Sequence, residues 1–153
     1  MTTKILLVDD HEIVREGIRT LVTKSRRKWD IVGEASNGTE AIEAVKNLTP
    51  DVVVLDITMP GMNGLEAASE INKLGSPSRV LIFTMHDSPR LIHEVRASGA
   101  QGYVLKSQAA RDLIRAIDAL LDGGTFFGSP SEQRQNQKKN GMNPGILLCF
   151  AFA

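Results

Sequence analysis

The sequence is poor in cysteine and in large aromatic residues, with one Cys, one Trp and one Tyr among 153 residues. Cys149 alone cannot form an internal disulfide, which fits a reducing compartment. No apolar run approaches the roughly 20 residues that a membrane-spanning helix needs. The formal net charge is zero, so there is no overall electrostatic reason for binding to nucleic acid or to an anionic membrane. We therefore expect a cytoplasmic protein without membrane contact.

Short apolar runs are abundant, and four of them end at a chemically reactive side chain. The lack of polar alternation within them is typical of strands buried on both faces of a parallel sheet. Ligands bind at the carboxyl ends of the strands in such sheets. The side chains that we expect to meet at this edge are those of Asp9, Asp10, Asp56, Thr84 and Lys106.

Between the apolar runs lie segments with helical periodicity or with helix start and stop signals. The predicted helices cover 11–24, 39–48, 64–74, a segment from the Ser88 N-cap to Gly99, and 109–121 with Ser107 as its N-cap. The apolar stripe of the first helix includes Ile13, and a more polar strand at 30–35 is expected at an edge. We predict a doubly wound α/β fold with a five-stranded parallel sheet, flavodoxin-like (βα)5, with strand order 2-1-3-4-5.

The composition changes after Phe127, where a Gly-Ser-Pro sequence interrupts the chain. Residues 131–143 are rich in Gln, Asn, Lys and Arg and have no hydrophobic period, and a short apolar octet ends the sequence. We predict one domain at 1–127 and a linker or tail at 128–153 that is disordered or is not native coding sequence.

Three carboxylates at one sheet edge repel one another unless they share protons or bind a cation. Asp9, Asp10 and Asp56 offer hard oxygen ligands, which favour Mg²⁺, with Mn²⁺ as an alternative. Beside such a cation and Lys106, the Asp56 carboxylate is a nucleophile that can attack phosphorus and form an aspartyl phosphate. Thr84 would supply a hydroxyl for the phosphoryl oxygens. The scattered histidines are interpreted as ordinary surface or helix residues: His11, His86 and His93.

Four segments carry a family pattern: Leu-Leu-Val-Asp-Asp at 6–10, Asp-Ile-Thr-Met-Pro-Gly-Met-Asn-Gly-Leu-Glu at 56–66, Thr84, and Gly-Tyr-Val-Leu-Lys at 102–106. Together they resemble the receiver domain of two-component response regulators, over residues 3 to about 127. The stretch after Lys106 is similar to the NarL/FixJ, or LuxR-type, subfamily, whose members carry a helix-turn-helix output domain.

The resemblance implies a role for each residue of the acidic group. Asp56 would be the phosphoacceptor, and Asp10 and Asp56 would ligate magnesium directly. Asp9 would act largely through water, and the backbone carbonyl of Thr58 would add a further ligand.

The resemblance also implies switch residues. Thr84 would be the switch hydroxyl, Tyr103 the aromatic residue that turns inward with it, and Lys106 the ligand of a phosphoryl oxygen. Thr58 and His86 match positions that tune the lifetime of the phosphorylated state.

The partner implied is a histidine kinase or a phosphotransfer protein, and the protein would be a regulator rather than an enzyme. Phosphorylation would change the surface of the last helices, through which a homodimer could form, to control an output such as transcription. A DNA-reading helix is missing from these 153 residues, so we expect no DNA binding by this chain itself. It is interpreted as a stand-alone receiver or as a truncated or altered transcription factor.

Three alternatives use related chemistry or the same architecture. A flavodoxin-like FMN carrier needs phosphate-binding donors in its first loop, where Asp9 and Asp10 would repel the ligand. A phosphatase of the haloacid dehalogenase type would have a second acid two residues after the nucleophile, where Thr58 stands. An interaction module with an inactive site is disfavoured because no site residue is replaced.

Overall fold

A computed structural model describes residues 2–128, in which parallel strands alternate with helices. The strands are β1 Thr3–Val8, β2 Trp29–Ala35, β3 Val52–Leu55, β4 Arg79–Thr84, β5 Gly102–Leu105 and β6 Phe126–Phe127. The helices are α1 Glu12–Lys24, α2 Gly38–Leu48, α3 Gly64–Lys73, α4 Pro89–Ala97 and α5 Ala109–Leu121, with a 3-10 turn over Lys106–Gln108 before α5.

All strand pairs are parallel, and the sheet has the order β2-β1-β3-β4-β5-β6. The predicted doubly wound architecture, the order of the first five strands and the edge position of β2 are confirmed. The sheet also contains a sixth strand that we did not predict. Phe126 and Phe127 pair with Gly102 and Tyr103 along the outer edge of β5.

The helices cover the sheet on both faces. Apolar residues of α2, α3 and α4 pack on one face against alternate strand residues such as Leu6 and Val53. Those of α1 and α5 pack on the other face against Ile5, Leu7 and Val54. Burial on both faces explains why these strands carry continuous apolar runs, and it leaves the strand ends as the place for polar residues.

Side-chain caps fix the start of three helices. The side chains of Asn37, Asn63 and Ser88 accept hydrogen bonds from backbone N–H groups in the first turns of α2, α3 and α4, which confirms the predicted Ser88 cap. The predicted Ser107 cap is wrong, because the 3-10 turn makes Gln108 the N-cap of α5, without a side-chain capping bond.

The predicted inward position of Ile13 is also wrong. Its side chain is 85% exposed, because the apolar face of α1 that meets the sheet is centred on the buried residues Ile18 and Val22.

Within residues 2–128, none of the helices combines the length and apolar character required to span a bilayer. The predicted linker or tail lies outside the described residues, except for Gly128. The predicted domain limits of 1–127 and 128–153 therefore stay predictions.

Candidate functional site

The ends of β1, β3 and β5 bring two carboxylates and an ammonium group together. Asp9 and Asp56 directly follow β1 and β3, whose last residues Val8 and Leu55 are paired. The Lys106 Nζ lies 2.8 Å from Asp9 Oδ2 and 3.5 Å from Asp56 Oδ1. Both carboxylates are buried, with 2% and 4% of their side chains exposed. Because little water reaches them to screen their charges, the Lys106 ammonium neutralises them instead.

Backbone hydrogen bonds fix the positions of Asp9 and Asp56 at the edge of the sheet. The Asp56 N–H donates to the Val8 carbonyl at 2.9 Å, and the Asp9 N–H donates to the Ala35 carbonyl at 3.0 Å. These bonds extend the sheet ladder by one residue beyond the strands, so the carboxylates are positioned by the sheet itself.

The ionised form of the Asp56 side chain is less stable at this site than the ionised form of an exposed aspartate. Burial raises its pKa above the ordinary value of 3.8, and the negative charge of Asp9 raises it further. Lys106 and the backbone N–H groups of Thr58 and Ile57 act in the opposite direction without cancelling the rise. A desolvated carboxylate that still has these donors around it is suited to accept an electrophile.

Two more residues, Asp10 and His11, lie next to these acids. One ligand atom each from Asp9, Asp10, His11 and Asp56 lies within 4.8 Å of the others. The donor set of three carboxylates fits a hard divalent cation, so this acidic cluster can bind a metal ion.

The predicted switch residues Thr84 and Tyr103 lie on β4 and β5. Thr84 is fully buried at the end of β4, and its Oγ1 accepts a hydrogen bond from the His86 N–H at 3.3 Å. Tyr103 is buried on β5, and its hydroxyl donates to the His86 carbonyl. The backbone of His86 thus links Thr84 to Tyr103, while the residue itself is exposed. Burial, followed by the charge of Asp87, raises the pKa of the Tyr103 phenol, so the hydroxyl stays protonated as a donor.

Sequence reasoning missed three residues that shape the site. Arg15 Nη1 donates to the Asp9 carbonyl, with its Nε 3.4 Å from Glu34 Oε1. His11 faces the acids, and Gly64 lies against the Asp56 carbonyl. Proximity in sequence to Asp10 was the available signal for His11, and membership of the pattern at 56–66 was the signal for Gly64, whereas Arg15 was identifiable only as part of a helix.

Asp56→Asn is expected to raise the free energy of unfolding at neutral pH by about 1 kcal/mol, or about 4 °C in Tm. A raised pKa means that the ionised carboxylate is less stable in the folded state than in the unfolded state. This destabilisation is fully present above the folded-state pKa, and it is lost as the pH falls below the ordinary value of 3.8.

Thermal unfolding of both proteins in the presence of a chelator measures the difference. Asp30→Asn on β2 is the control, because Asp30 is exposed. A lower Tm for Asp56→Asn at neutral pH would contradict the expectation, and in acid the two proteins are expected to converge.

A doubly wound parallel sheet with an acidic cluster facing a lysine at its carboxyl edge defines a receiver-type signalling domain. The family model described as the response regulator receiver domain matches residues 5–118. The chain belongs to this family.

The curated relatives include bacterial transcription regulators and response regulators. The chain is 31% identical over 148 residues to BvgA of Bordetella pertussis strain Tohama I, named as a positive transcription regulator of virulence factors. This match covers 97% of the chain and 70% of BvgA. The nitrate/nitrite response regulator NarL of Escherichia coli K12 is 37% identical over 119 residues, which cover 78% of the chain and 55% of NarL. The chain thus spans little more than half the length of NarL.

Solved structures of similar proteins share the fold. A LuxR-family two-component response regulator from Aurantimonas sp. SI85-9A1 matches with a TM-score of 0.83 and 39% identity, over 91% of this chain and 99% of that one. The isolated receiver domain of RcsB from Salmonella enterica serovar Typhimurium, solved with the phosphomimetic BeF3⁻, matches with a TM-score of 0.79 and 27% identity, over 87% and 98%. The predicted membership of the receiver family, with NarL and LuxR-type relatives, is confirmed.

Proposed function

We propose that this receiver domain is a phosphorylation-dependent switch and that Asp56 is its phosphoacceptor. The observation that carries the proposal is the position of the buried Asp56 carboxylate, 3.5 Å from the Lys106 ammonium and beside the backbone N–H groups of Ile57 and Thr58. A nucleophile is thus surrounded by donors that can neutralise a transferred phosphoryl group. That the similar RcsB receiver was solved in the presence of the phosphomimetic BeF3⁻ supports this assignment.

The phosphoryl donor in this proposal is a phosphohistidine of a histidine kinase or phosphotransfer protein. An Asp56 carboxylate oxygen forms a bond to phosphorus while the phosphorus–nitrogen bond of the donor breaks. The electron pair of that bond returns to the donor imidazole, which then takes up a proton. Lys106 binds a phosphoryl oxygen, and hydrolysis of the aspartyl phosphate resets the switch.

The acidic cluster is proposed to hold Mg²⁺, or Mn²⁺ in its place. Asp10 and Asp56 would bind the ion directly, Asp9 largely through water, and Thr58 through its backbone carbonyl. When bound, the ion supplies positive charge to the phosphoryl oxygens.

Thr84 and Tyr103 are proposed to transmit the change. Thr84 would turn its hydroxyl toward the phosphoryl group, which would change the hydrogen bond that Thr84 accepts from the His86 N–H. The altered His86 backbone would in turn change the hydrogen bond that the His86 carbonyl accepts from Tyr103. Reversal of a population from about 1:99 to 99:1 requires roughly 5.5 kcal/mol of differential stabilisation, so the contacts of Thr84 and Lys106 must differ between the states. Thr58 and His86, exposed beside the site, would set the lifetime of the phosphorylated form.

We propose a regulator rather than an enzyme, acting in the cytoplasm, with transcription as the output that its relatives indicate. The surface that changes would be that of α4 and α5, which could also form a homodimer. Among residues 2–128 all five α-helices belong to the receiver fold, and we propose that this chain itself does not bind DNA.

The test is incubation of the full chain with Mg²⁺ and acetyl phosphate, followed by intact mass and peptide mapping. The wild type is expected to gain one phosphoryl group on the peptide that contains Asp56, and Asp56→Asn is expected to gain none. Asp30→Asn, at an exposed position on β2, is expected to label like the wild type. An unlabelled wild type, or equal labelling of Asp56→Asn, would overturn the proposal.

A further inference from the structure

We propose that the receiver has a second binding site, for a small organic carboxylate, at the amino ends of its strands. Arg79, the first residue of β4, and Gln101, which directly precedes β5, line a pocket of about 270 Å³ there. This volume is near the lower end of the roughly 300–1,000 Å³ of small-molecule sites, so the ligand would be compact. Asp56 follows the carboxyl end of β3, so this inference does not depend on the proposed phosphorylation.

Arg79 gives the pocket its charge. Among the described residues that line the pocket, it alone has a charged side chain. Arg79 is partly buried, yet its guanidinium has no ion pair or hydrogen bond with any residue in 2–128. A permanently charged group that is partly withdrawn from water is stabilised by an anion. The planar guanidinium matches the two oxygens of a carboxylate, which favours this class of anion.

Gln101 presents a second donor in a fixed orientation. Its Oε1 accepts a hydrogen bond from the Val80 N–H at 2.8 Å, and its own backbone N–H donates to the Val80 carbonyl at 3.0 Å. Because Oε1 is engaged, the side-chain NH₂ group is directed elsewhere, and it has no hydrogen-bond partner within residues 2–128. This group can donate to an oxygen of the ligand.

The loop between α3 and β4 forms a rigid wall of the pocket. The buried Ser78 hydroxyl donates to the Pro50 carbonyl, so it accepts the hydrogen bond that joins it to the Ser76 hydroxyl at 3.0 Å. The Ser78 N–H also donates to Ser76 Oγ at 3.2 Å. A wall that is already held by these bonds need not be ordered when a ligand binds, which lowers the cost of binding.

The rest of the lining indicates a ligand with a short carbon skeleton and a hydroxyl group. Ile71, Pro77 and Val80 supply apolar contacts. Asn72 supplies an amide that can both donate and accept. It lies against Gly99, whose φ is +90° and where a Cβ atom would be 2.8 Å from Asn72 Cγ, so a glycine is required beside it.

The experiment titrates the full chain with sodium lactate, without a divalent ion, and follows the backbone amide resonances by ¹H–¹⁵N NMR. Lactamide is the matched control ligand, because it has the same skeleton and hydroxyl group but no charge. We expect lactate to shift the resonances of Arg79, Val80 and Gln101 and to leave those of Asp9 and Asp56 in place. Lactamide is expected to bind at least about 10-fold more weakly, because its contact with the guanidinium is not charge-assisted on both sides.

Arg79→Gln removes the charge and retains the backbone hydrogen bond from residue 79 to the Asp51 carbonyl. It is expected to lower the lactate affinity by about 10–100-fold. Arg90→Gln is the matched control, because Arg90 is an exposed arginine on α4 outside the pocket, and it is expected to bind lactate like the wild type.

Three results would each overturn the inference. They are the absence of shifts at the pocket residues of the wild type, equal affinities for lactate and lactamide, and an unchanged lactate affinity in Arg79→Gln. Labelling of Asp56 by acetyl phosphate tests the proposed function separately, so failure of one proposal is distinguishable from failure of the other.

Discussion

Gly64→Ala is expected to destabilise the domain by about 3 kcal/mol or more. This is the largest loss of stability that we expect from the addition of a single methyl group. A Cβ atom at Gly64 would lie 2.0 Å from the Asp56 carbonyl oxygen and 2.8 Å from the Ile57 Cα. These are backbone atoms at the end of β3, so no side chain can rotate away. The Gly64 N–H also donates to the Ile57 carbonyl at 2.8 Å, which holds the start of α3 against this loop.

Denaturant unfolding of Gly64→Ala and of Gly17→Ala measures the effect. Gly17 is the matched control on α1, because a Cβ there has no neighbour within 4 Å. Alanine in an exposed helix is favoured over glycine by about 1 kcal/mol, so Gly17→Ala should be neutral or stabilising. Equal unfolding midpoints for the two variants would show that the β3–α3 loop can move away from α3 at little cost.

Lys106→Ala is expected to slow labelling of the domain by acetyl phosphate by about 100–1,000-fold, the range for loss of one charge-stabilising donor. Lys106 is the cation within 2.8 Å of Asp9 and 3.5 Å of Asp56, and only 15% of its side chain is exposed. Its removal leaves two buried carboxylates facing the phosphoryl group without compensation, so like charges oppose the approach of the donor.

The rate of mass gain under saturating Mg²⁺ measures this loss. Lys73→Ala is the control, because Lys73 pairs with Glu70 on the exposed side of α3 and is expected to have no effect. Lys106→Arg keeps the charge but replaces a compact ammonium by a broad guanidinium, so only partial recovery is expected. A Lys106→Ala protein that labels at the wild-type rate would show that the phosphoryl group is neutralised without this side chain.

Much of the fold was predictable because its signals are local. Apolar runs without alternation identified the first, third, fourth and fifth strands, and helical periodicity identified the helices between them. The Ser88 cap could be recognised from its neighbour Pro89, since both the cap and a proline in the first turn act within a few residues.

The predictions missed one strand that depends on a neighbour distant in sequence and one turn that no start signal marks. Strand β6 has two residues, which are too few for any pattern. It forms because the edge of the sheet at β5 offers unpaired backbone groups. The Phe126 N–H donates to the Gln101 carbonyl, just before β5, at 3.1 Å. The 3-10 turn after Lys106 displaced the start of α5, so that Ser107 could not act as its cap.

The sequence by itself determined which chemical groups the protein has at the carboxyl edge of its sheet, because a residue that directly follows a parallel strand must emerge there. It did not determine how those groups meet. The pairing of Lys106 with Asp9, the approach of His11 to two carboxylates and the contact of Gly64 with Asp56 were decided by the tertiary structure. Distances of 2 to 4 Å between such groups depend on the packing of whole strands and helices, which no local pattern of residues encodes.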